Sequence, residues 1–174
     1  MRAPPLLPEE TFARVVRMAN FDGTSVLLLG GMFALLTALG GEKPFAIVGL
    51  LAAGAGALEL HGVSLLRAGD RRGMTWIIAS QPLLFVVILG YCVLRLTHFA
   101  LPDMPDSVRA MTALSAENLG LSVEDYLRRI NQLTLAVLAL AALGYQGGMT
   151  IYFLRRRAPV ERALAESDAP PADE

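Results

Sequence analysis

Four long apolar runs, separated by short polar segments, dominate the pattern of hydrophobic and polar positions along the chain. A helix crosses a hydrocarbon layer of about 30 Å with about 20 apolar residues, at a rise of about 1.5 Å per residue. We place the predicted spans at about residues 24–40, 44–66, 74–98 and 131–154. The pattern therefore predicts an all-α integral membrane protein built as a four-transmembrane-helix bundle.

A short charged turn centred on Asp70 joins the second and third runs, so these spans are predicted to form an antiparallel hairpin. Glu59 and Gln81 are equally far along the chain from Asp70. In two antiparallel helices, residues at equal distances from the turn lie opposite each other. Carboxyl and carboxamide groups are costly to leave unpaired in an apolar medium. This register is the main structural prediction from the sequence.

Residues 1–20 are predicted to form an amphipathic helix in the membrane interface, with a partly ordered tail as the alternative. The apolar positions recur at helical spacing: Phe12, Val15, Val16 and Ala19. Asp22 and Gly23 are predicted to break this helix before the first span. The first span is interpreted as retained in the mature protein. The segment ahead of it is longer and more acidic than the start of a typical cleaved signal peptide.

The polar insert at residues 100–130 is predicted to form a small helical cap. Its first helix carries apolar residues on one side: Val108, Met111 and Leu114. Ser122 and Asp125 resemble a capping box, which begins a second helix that continues into the fourth span.

Basic residues predict the orientation of the chain. The N-terminus, the turn at residues 67–73 and the C-terminus together hold ten arginines, whereas the other connecting segments hold four basic residues. The positive-inside rule then places both termini in the cytoplasm and the insert outside, in the cytoplasmic (inner) membrane. Five arginines are predicted to contact lipid headgroups: Arg71, Arg72, Arg155, Arg156 and Arg157.

These patterns divide the chain into three parts. They are a cytoplasmic interfacial helix at residues 1–20, a four-helix transmembrane domain at residues 21–157 and a flexible cytoplasmic tail at residues 158–174. Composition agrees with membrane insertion, because 54% of the residues are hydrophobic, 18% are charged and the mean hydropathy is +0.49. A soluble domain has about 25% charged residues.

Small residues at every fourth position are predicted to let the spans approach closely. They form three ladders: Gly30, Ala34 and Ala38; Gly49, Ala53 and Ala57; Gly144 and Gly148. The lone Cys92 has no partner for an intrachain disulfide and is interpreted as a small buried hydrophobic residue.

Glu59, Gln81 and Gln146 lie at similar distances from the cytoplasmic ends of their spans and are predicted to form an intramembrane polar layer. In a functional interpretation, Glu59 binds or relays a proton, a cation or a basic ligand in a cavity open to the cytoplasm. In a structural interpretation, Glu59 is protonated or hydrogen-bonded to Gln81 and Gln146 and only fixes the register of the helices.

Three further residues are candidates for ligand or interface contacts: His61, Tyr91 and Arg95. His61 is interpreted as an interface histidine, with single axial ligation of haem or chlorophyll as the alternative. Tyr91 is interpreted as an interface anchor, and Arg95 either reaches the headgroups or pairs with Glu124 or Asp125. Two distant histidines and one cysteine do not supply a zinc site, so neither a metal nor a cofactor is predicted.

No enzyme motif and no nucleic-acid-binding pattern occurs in the sequence. We therefore expect a non-enzymatic accessory, assembly or scaffold component of the membrane. Its expected partners are the lipid bilayer and further chains in a homo-oligomer or a larger membrane complex. The alternative is a small oligomeric transporter or channel that uses the layer around Glu59, and a third reading is a membrane-embedded enzyme or cofactor-binding subunit.

Overall fold

The computed structural model describes residues 7–99 and 104–167. These two stretches contain five helices and no strand: α1 (Pro8–Leu39), α2 (Lys43–Arg67), α3 (Arg72–Thr97), α4 (Asp106–Asn118) and α5 (Val123–Ser167). Helices α1, α2, α3 and α5 are long and apolar enough to span a membrane. The all-helical prediction with four such helices is therefore confirmed.

The four long helices form an antiparallel ring. Helix α1 packs along α2, α2 along α3 and α3 along α5, and α5 returns to α1 through a smaller contact; α4 packs on α5. One end of the ring, here called the basic end, holds the α2–α3 turn, the start of α1 and the last part of α5. The opposite end, which holds the α1–α2 turn and α4, is called the distal end.

Helix α1 runs without interruption through Asp22 and Gly23, so the predicted break at these residues is wrong. Both residues are buried against the neighbouring helices, and these tertiary contacts outweigh the weak helix propensity of Asp and Gly. Residues 7–20 are the described part of the predicted interfacial helix, and residues 8–20 lie in the first half of α1. Their side chains Val15 and Ala19 are fully buried in the core of the basic end.

Helix α5 likewise continues past the arginines at residues 155–157. Val160 and Leu164, one turn apart, are buried in the same core as Val15, which explains why the helix does not end at these arginines. The predicted flexible tail is therefore wrong for residues 158–167. Residues 168–174 of that prediction lie outside the described residues.

The start of α5 agrees with the capping box in the sequence. The backbone N–H of Asp125 donates to Ser122 Oγ at 3.1 Å, and this hydroxyl donates to the Asp125 carboxylate at 2.7 Å. The cap fixes where α5 begins, directly after the glycine turn that follows α4.

Small residues bring α1 and α2 into backbone contact. A Cβ atom on Gly30 would lie 2.6 Å from the Ala53 amide nitrogen, and one on Gly49 would lie 2.6 Å from the amide nitrogen of Ala34. Two of the predicted ladders thus face each other. The third does not take part, since a Cβ atom on Gly144 or Gly148 would have no neighbour within 4 Å.

Candidate functional site: a buried acidic cluster

Two carboxyl groups lie side by side inside the ring, Asp22 on α1 and Glu59 on α2, with exposed fractions of 6% and 2%. Gln81 on α3 joins them, because its Nε2 donates to Glu59 Oε2 at 3.1 Å and to Asp22 Oδ2 at 3.3 Å. The two carboxyl groups therefore contact the same amide nitrogen. Buried carboxyl groups in contact are unusual, since each loses its hydration.

Tyr145 on α5 completes the group by donating its hydroxyl hydrogen to Asp22 Oδ1 at 2.8 Å. Its ring remains half-exposed on the outside of the bundle. Asp22, Glu59, Gln81 and Tyr145 are here called the acidic cluster. Each of the four long helices thus contributes one member.

Glycine makes the approach of the two carboxyl groups sterically feasible. A Cβ atom on Gly23 would lie 3.1 Å from the Gly56 carbonyl oxygen and 3.2 Å from Glu59 Cβ, and one on Gly56 would lie 2.7 Å from the Gly23 carbonyl oxygen. Larger residues at these positions would push α1 and α2 apart. The helix contact therefore sets the spacing of the acids.

The acidic cluster has more acceptors than donors. Within the described part of the chain, no cationic side chain contacts either carboxyl group, and the ion pairs lie on the exposed surface of α5. Glu59 Oε1 and Gln81 Oε1 are buried without a hydrogen-bond partner. Because two adjacent anions are strongly disfavoured in a low-dielectric interior, the cluster has the chemistry to take up a proton or a cation.

An apolar core closes the cluster towards the basic end. On each helix, a residue about one turn from the cluster in that direction is buried: Ala19, Val63, Ile77 and Met149. Close-packed side chains therefore occupy the side of the cluster that faces the basic end.

An open groove of about 470 Å³ lies on the distal side of the cluster, and none of the four cluster residues lines it. Its lining comes from all four long helices and includes Val26, Ala52, Leu84 and Leu138. Tyr91 lies towards its distal end, where its ring contacts those of Phe33 and Phe45 edge-on with centroid distances of 5.9 Å.

The predicted polar layer is present in altered form. Glu59 and Gln81 are in contact, as the register around Asp70 predicted. Gln146 is buried, but in the described structure its side chain makes no hydrogen bond to either residue, and its Oε1 has no partner. Its neighbour Tyr145 makes the contact from α5 instead.

Asp22 and Tyr145 were missed by the sequence reasoning. Asp22 precedes a glycine, and this pair was interpreted as a helix break. The α1–α2 turn carried a usable signal, because the register argument applied to Asp70 also places Asp22 near the level of Glu59 when it is applied to that turn.

The remaining candidate residues lie apart from the acidic cluster. His61 is exposed, and its ring contacts that of Trp76 edge-on at a centroid distance of 5.5 Å. The Arg95 guanidinium lies over the Phe45 ring, 5.6 Å from its centroid. Among the described residues, Arg95 forms no ion pair with Glu124 or Asp125, and Glu124 pairs with Arg128 at 2.8 Å.

The five arginines predicted to contact headgroups all lie at the basic end. Four of them are exposed: Arg71, Arg72, Arg155 and Arg157. Arg156 is partly buried, with its guanidinium 5.3 Å from the centroid of the Tyr152 ring.

Comparison of the chain with protein-family models, with curated proteins and with solved structures finds no match. Among the described residues, no three His, Cys, Asp or Glu side chains are grouped to hold a metal ion. A function is therefore inferred from the chemistry of the acidic cluster.

Proposed function

We propose that the chain is a multi-pass protein of the cytoplasmic membrane that binds and releases a proton at the acidic cluster, as a small proton-coupled transporter does. The observation that carries this proposal is the pair of buried carboxyl groups that share one amide donor and lack a cation. An intramembrane acid without a counter-ion is typical of proton pathways.

Membrane insertion is supported by the outer surface of the ring. Large apolar side chains are exposed there along every long helix, including Leu28, Leu50, Val86 and Leu140, each more than half exposed. In water this surface would cause aggregation, whereas in a bilayer it is solvated by acyl chains. The excess of arginine at the basic end favours a cytoplasmic location for that end.

The cluster lacks hydrogen-bond donors and positive charge, and a proton supplies both better than a metal ion does. A protonated carboxyl group becomes an O–H donor and removes one negative charge, so it addresses both the surplus of acceptors and the repulsion between the acids. The titratable groups that meet here are Asp22 from α1, Glu59 from α2 and Tyr145 from α5, while α3 contributes the neutral Gln81.

Infrared difference spectroscopy of the reconstituted protein tests the proposal. We expect a carboxylic-acid C=O band that appears and disappears with pH in the wild type and is lost in Glu59→Gln and in Asp22→Asn, which preserve shape. Glu124→Gln, at an exposed ion pair, is the matched control and should leave the band unchanged. A band that does not respond to pH would indicate a purely structural cluster, and a band that responds to Na⁺ instead would indicate a metal-ion site; either result overturns the proposal.

The orientation is tested by cysteine accessibility. In a Cys92→Ser background, Asp70→Cys at the α2–α3 turn and Glu117→Cys at the end of α4 each provide a single thiol. A membrane-impermeant maleimide is expected to label residue 117 in intact cells and residue 70 after permeabilisation only. Labelling of residue 70 in intact cells would contradict the proposed topology.

The accessory or scaffold role expected from the sequence stays a prediction. Helix α4 is the element that favours it, because it packs on α5 and leaves Met111 and Leu114 exposed at the distal end. A partner protein bound there would be compatible with proton binding at the acidic cluster.

A further inference from the structure

We propose that the seam between α3 and α5 at the distal end binds one membrane phospholipid, with its phosphate group on donors of α5 and one acyl chain along the seam. The inference rests on the membrane location in the proposed function and is otherwise independent of proton binding. It assigns the chain a lipid ligand in the leaflet at the distal end.

A polar pocket of about 240 Å³ opens on this seam. Four of its six lining residues carry polar side chains: Thr97 on α3, and Arg128, Asn131 and Gln132 on α5. Asn131 is the first residue of the fourth predicted span, so the pocket lies where the apolar span gives way to polar residues. Phospholipid headgroups occupy that level of a bilayer.

An apolar groove of about 330 Å³, here called the seam groove, continues from the polar pocket along the same two helices. The two spaces share Leu96 and Gln132 as lining residues. Cys92 and Leu135 form the floor of the seam groove, as each is only 5% exposed. The Cys92 thiol donates to the Leu135 carbonyl oxygen, with 3.8 Å between sulfur and oxygen, so α3 and α5 touch beneath the groove.

Small side chains on α5 leave the seam groove open. Ala136 and Ala139 line it beside Leu135, where longer side chains would occupy the space. From Gln132 to Ala139 the seam groove follows α5 for about 10 Å, at about 1.5 Å per residue. Because Leu96 and Ala136 are exposed on the outside of the ring, an acyl chain enters from the bilayer and leaves no polar group unpaired.

Hydrogen-bond donors in the polar pocket select the group that binds there. Arg128 uses Nη2 for its ion pair with Glu124, and its guanidinium lies over the Phe99 ring, 5.9 Å from the centroid. The other N–H groups of this guanidinium remain available. Among the described residues, the carboxamides of Asn131 and Gln132 make no hydrogen bond. A phosphate group accepts hydrogen bonds from both kinds of donor and carries the charge opposite to that of the guanidinium.

The order of the two spaces along the seam matches the order of groups in a phospholipid. The phosphate group of such a lipid is followed by long apolar chains, as the polar pocket is followed by the seam groove. A free phosphate ion would leave the seam groove unfilled, and a diacylglycerol would leave donors of Arg128 and Asn131 unpaired. One phospholipid molecule fills both spaces.

Native mass spectrometry of the full chain in mild detergent tests the inference. The probe is phosphatidylglycerol, and diacylglycerol with the same acyl chains is the probe without phosphate. We expect one saturable site for phosphatidylglycerol and about tenfold weaker binding of diacylglycerol, because hydrogen bonds to a charged group contribute a factor of this size. Arg128→Gln should weaken phosphatidylglycerol binding by a similar factor. Glu124→Gln is the matched control, since it breaks the same ion pair but keeps the guanidinium, and it should bind at least as tightly as the wild type.

Filling the seam groove tests the place of the acyl chain. Ala136→Leu and Ala139→Leu should each weaken binding at least tenfold, whereas Ala141→Leu adds the same side chain at an exposed position of α5 outside the seam groove and should have no effect. Phosphatidylglycerol with a photoreactive diazirine in its acyl chain should label residues 92–96 of α3 or 132–139 of α5. The pH-dependent infrared band should persist in every variant, which shows that each has folded.

Several results would overturn the inference alone: equal affinity for the two lipids, displacement of the lipid by inorganic phosphate, equal losses in Ala136→Leu and Ala141→Leu, or labelling confined to other residues. A wild type that has the infrared band but no saturable lipid site has the same meaning. Absence of both the band and lipid binding overturns the proposed function as well.

Discussion

Gly30→Leu is expected to destabilise the bundle by about 3 kcal/mol or more, the upper end of the usual cost of overpacking. The reason is the closeness of α2, because even a Cβ atom at this position would lie 2.6 Å from the backbone nitrogen of Ala53. Backbone atoms cannot rotate away as a side chain does, so α1 and α2 would have to separate. Their separation would also break the hydrogen bonds that join Asp22 and Glu59 to Gln81.

The adjacent residue provides the matched control. A Cβ atom on Gly31 would have no neighbour within 4 Å, so Gly31→Leu introduces the same side chain without a collision. Since leucine also favours a helix over glycine, this variant should be as stable as the wild type or slightly more stable. Thermal unfolding of both variants in mild detergent measures the difference, and equal losses at the two positions would disprove the described α1–α2 contact.

Phe153→Ala is expected to cost about 3–5 kcal/mol, the usual range for removing a buried phenylalanine. Phe153 has no exposed surface, and it lies in the core of the basic end together with Val15 and Met74. The cavity left by the ring would loosen the packing that closes the acidic cluster on this side. We therefore expect a lower unfolding temperature and faster hydrogen exchange in the first half of α1.

Leu154→Ala is the control for this second prediction. Leu154 follows Phe153 on α5 but is 50% exposed on the outside of the ring. Its truncation should cost much less, because part of its surface contacts the surrounding detergent or lipid in the folded protein. A loss as large as that of Phe153→Ala would show that α5 is rotated from its described orientation.

The four long helices and one contact between them could be predicted from the sequence. Apolar length identifies the helices without tertiary information. The contact between Glu59 and Gln81 could be predicted because a short turn fixes the register of two antiparallel helices. The capping box at Ser122 was predictable for a similar reason, as both of its members are close in sequence.

The prediction failed where contacts between residues distant in sequence outweigh the local preference for ending a helix. Asp22 and Gly23 favour a helix break locally, but α1 remains helical because its neighbours pack against these residues. Similarly, the arginines at 155–157 would end an isolated span, yet Val160 extends α5 by joining a core formed from other helices. The acidic cluster depends on Asp22 and Tyr145, whose proximity arises from the ring as a whole.

The unbroken course of α5 has a mechanical consequence. Between Val123 and Pro159 the helix is about 55 Å long at about 1.5 Å per residue, with no proline before Pro159. Because α4 packs on α5, a partner or lipid that displaces α4 also displaces one end of this long helix. Rotation of the helix would move the Tyr145 hydroxyl away from Asp22, so contact at the distal end would reach the acidic cluster nearer the basic end.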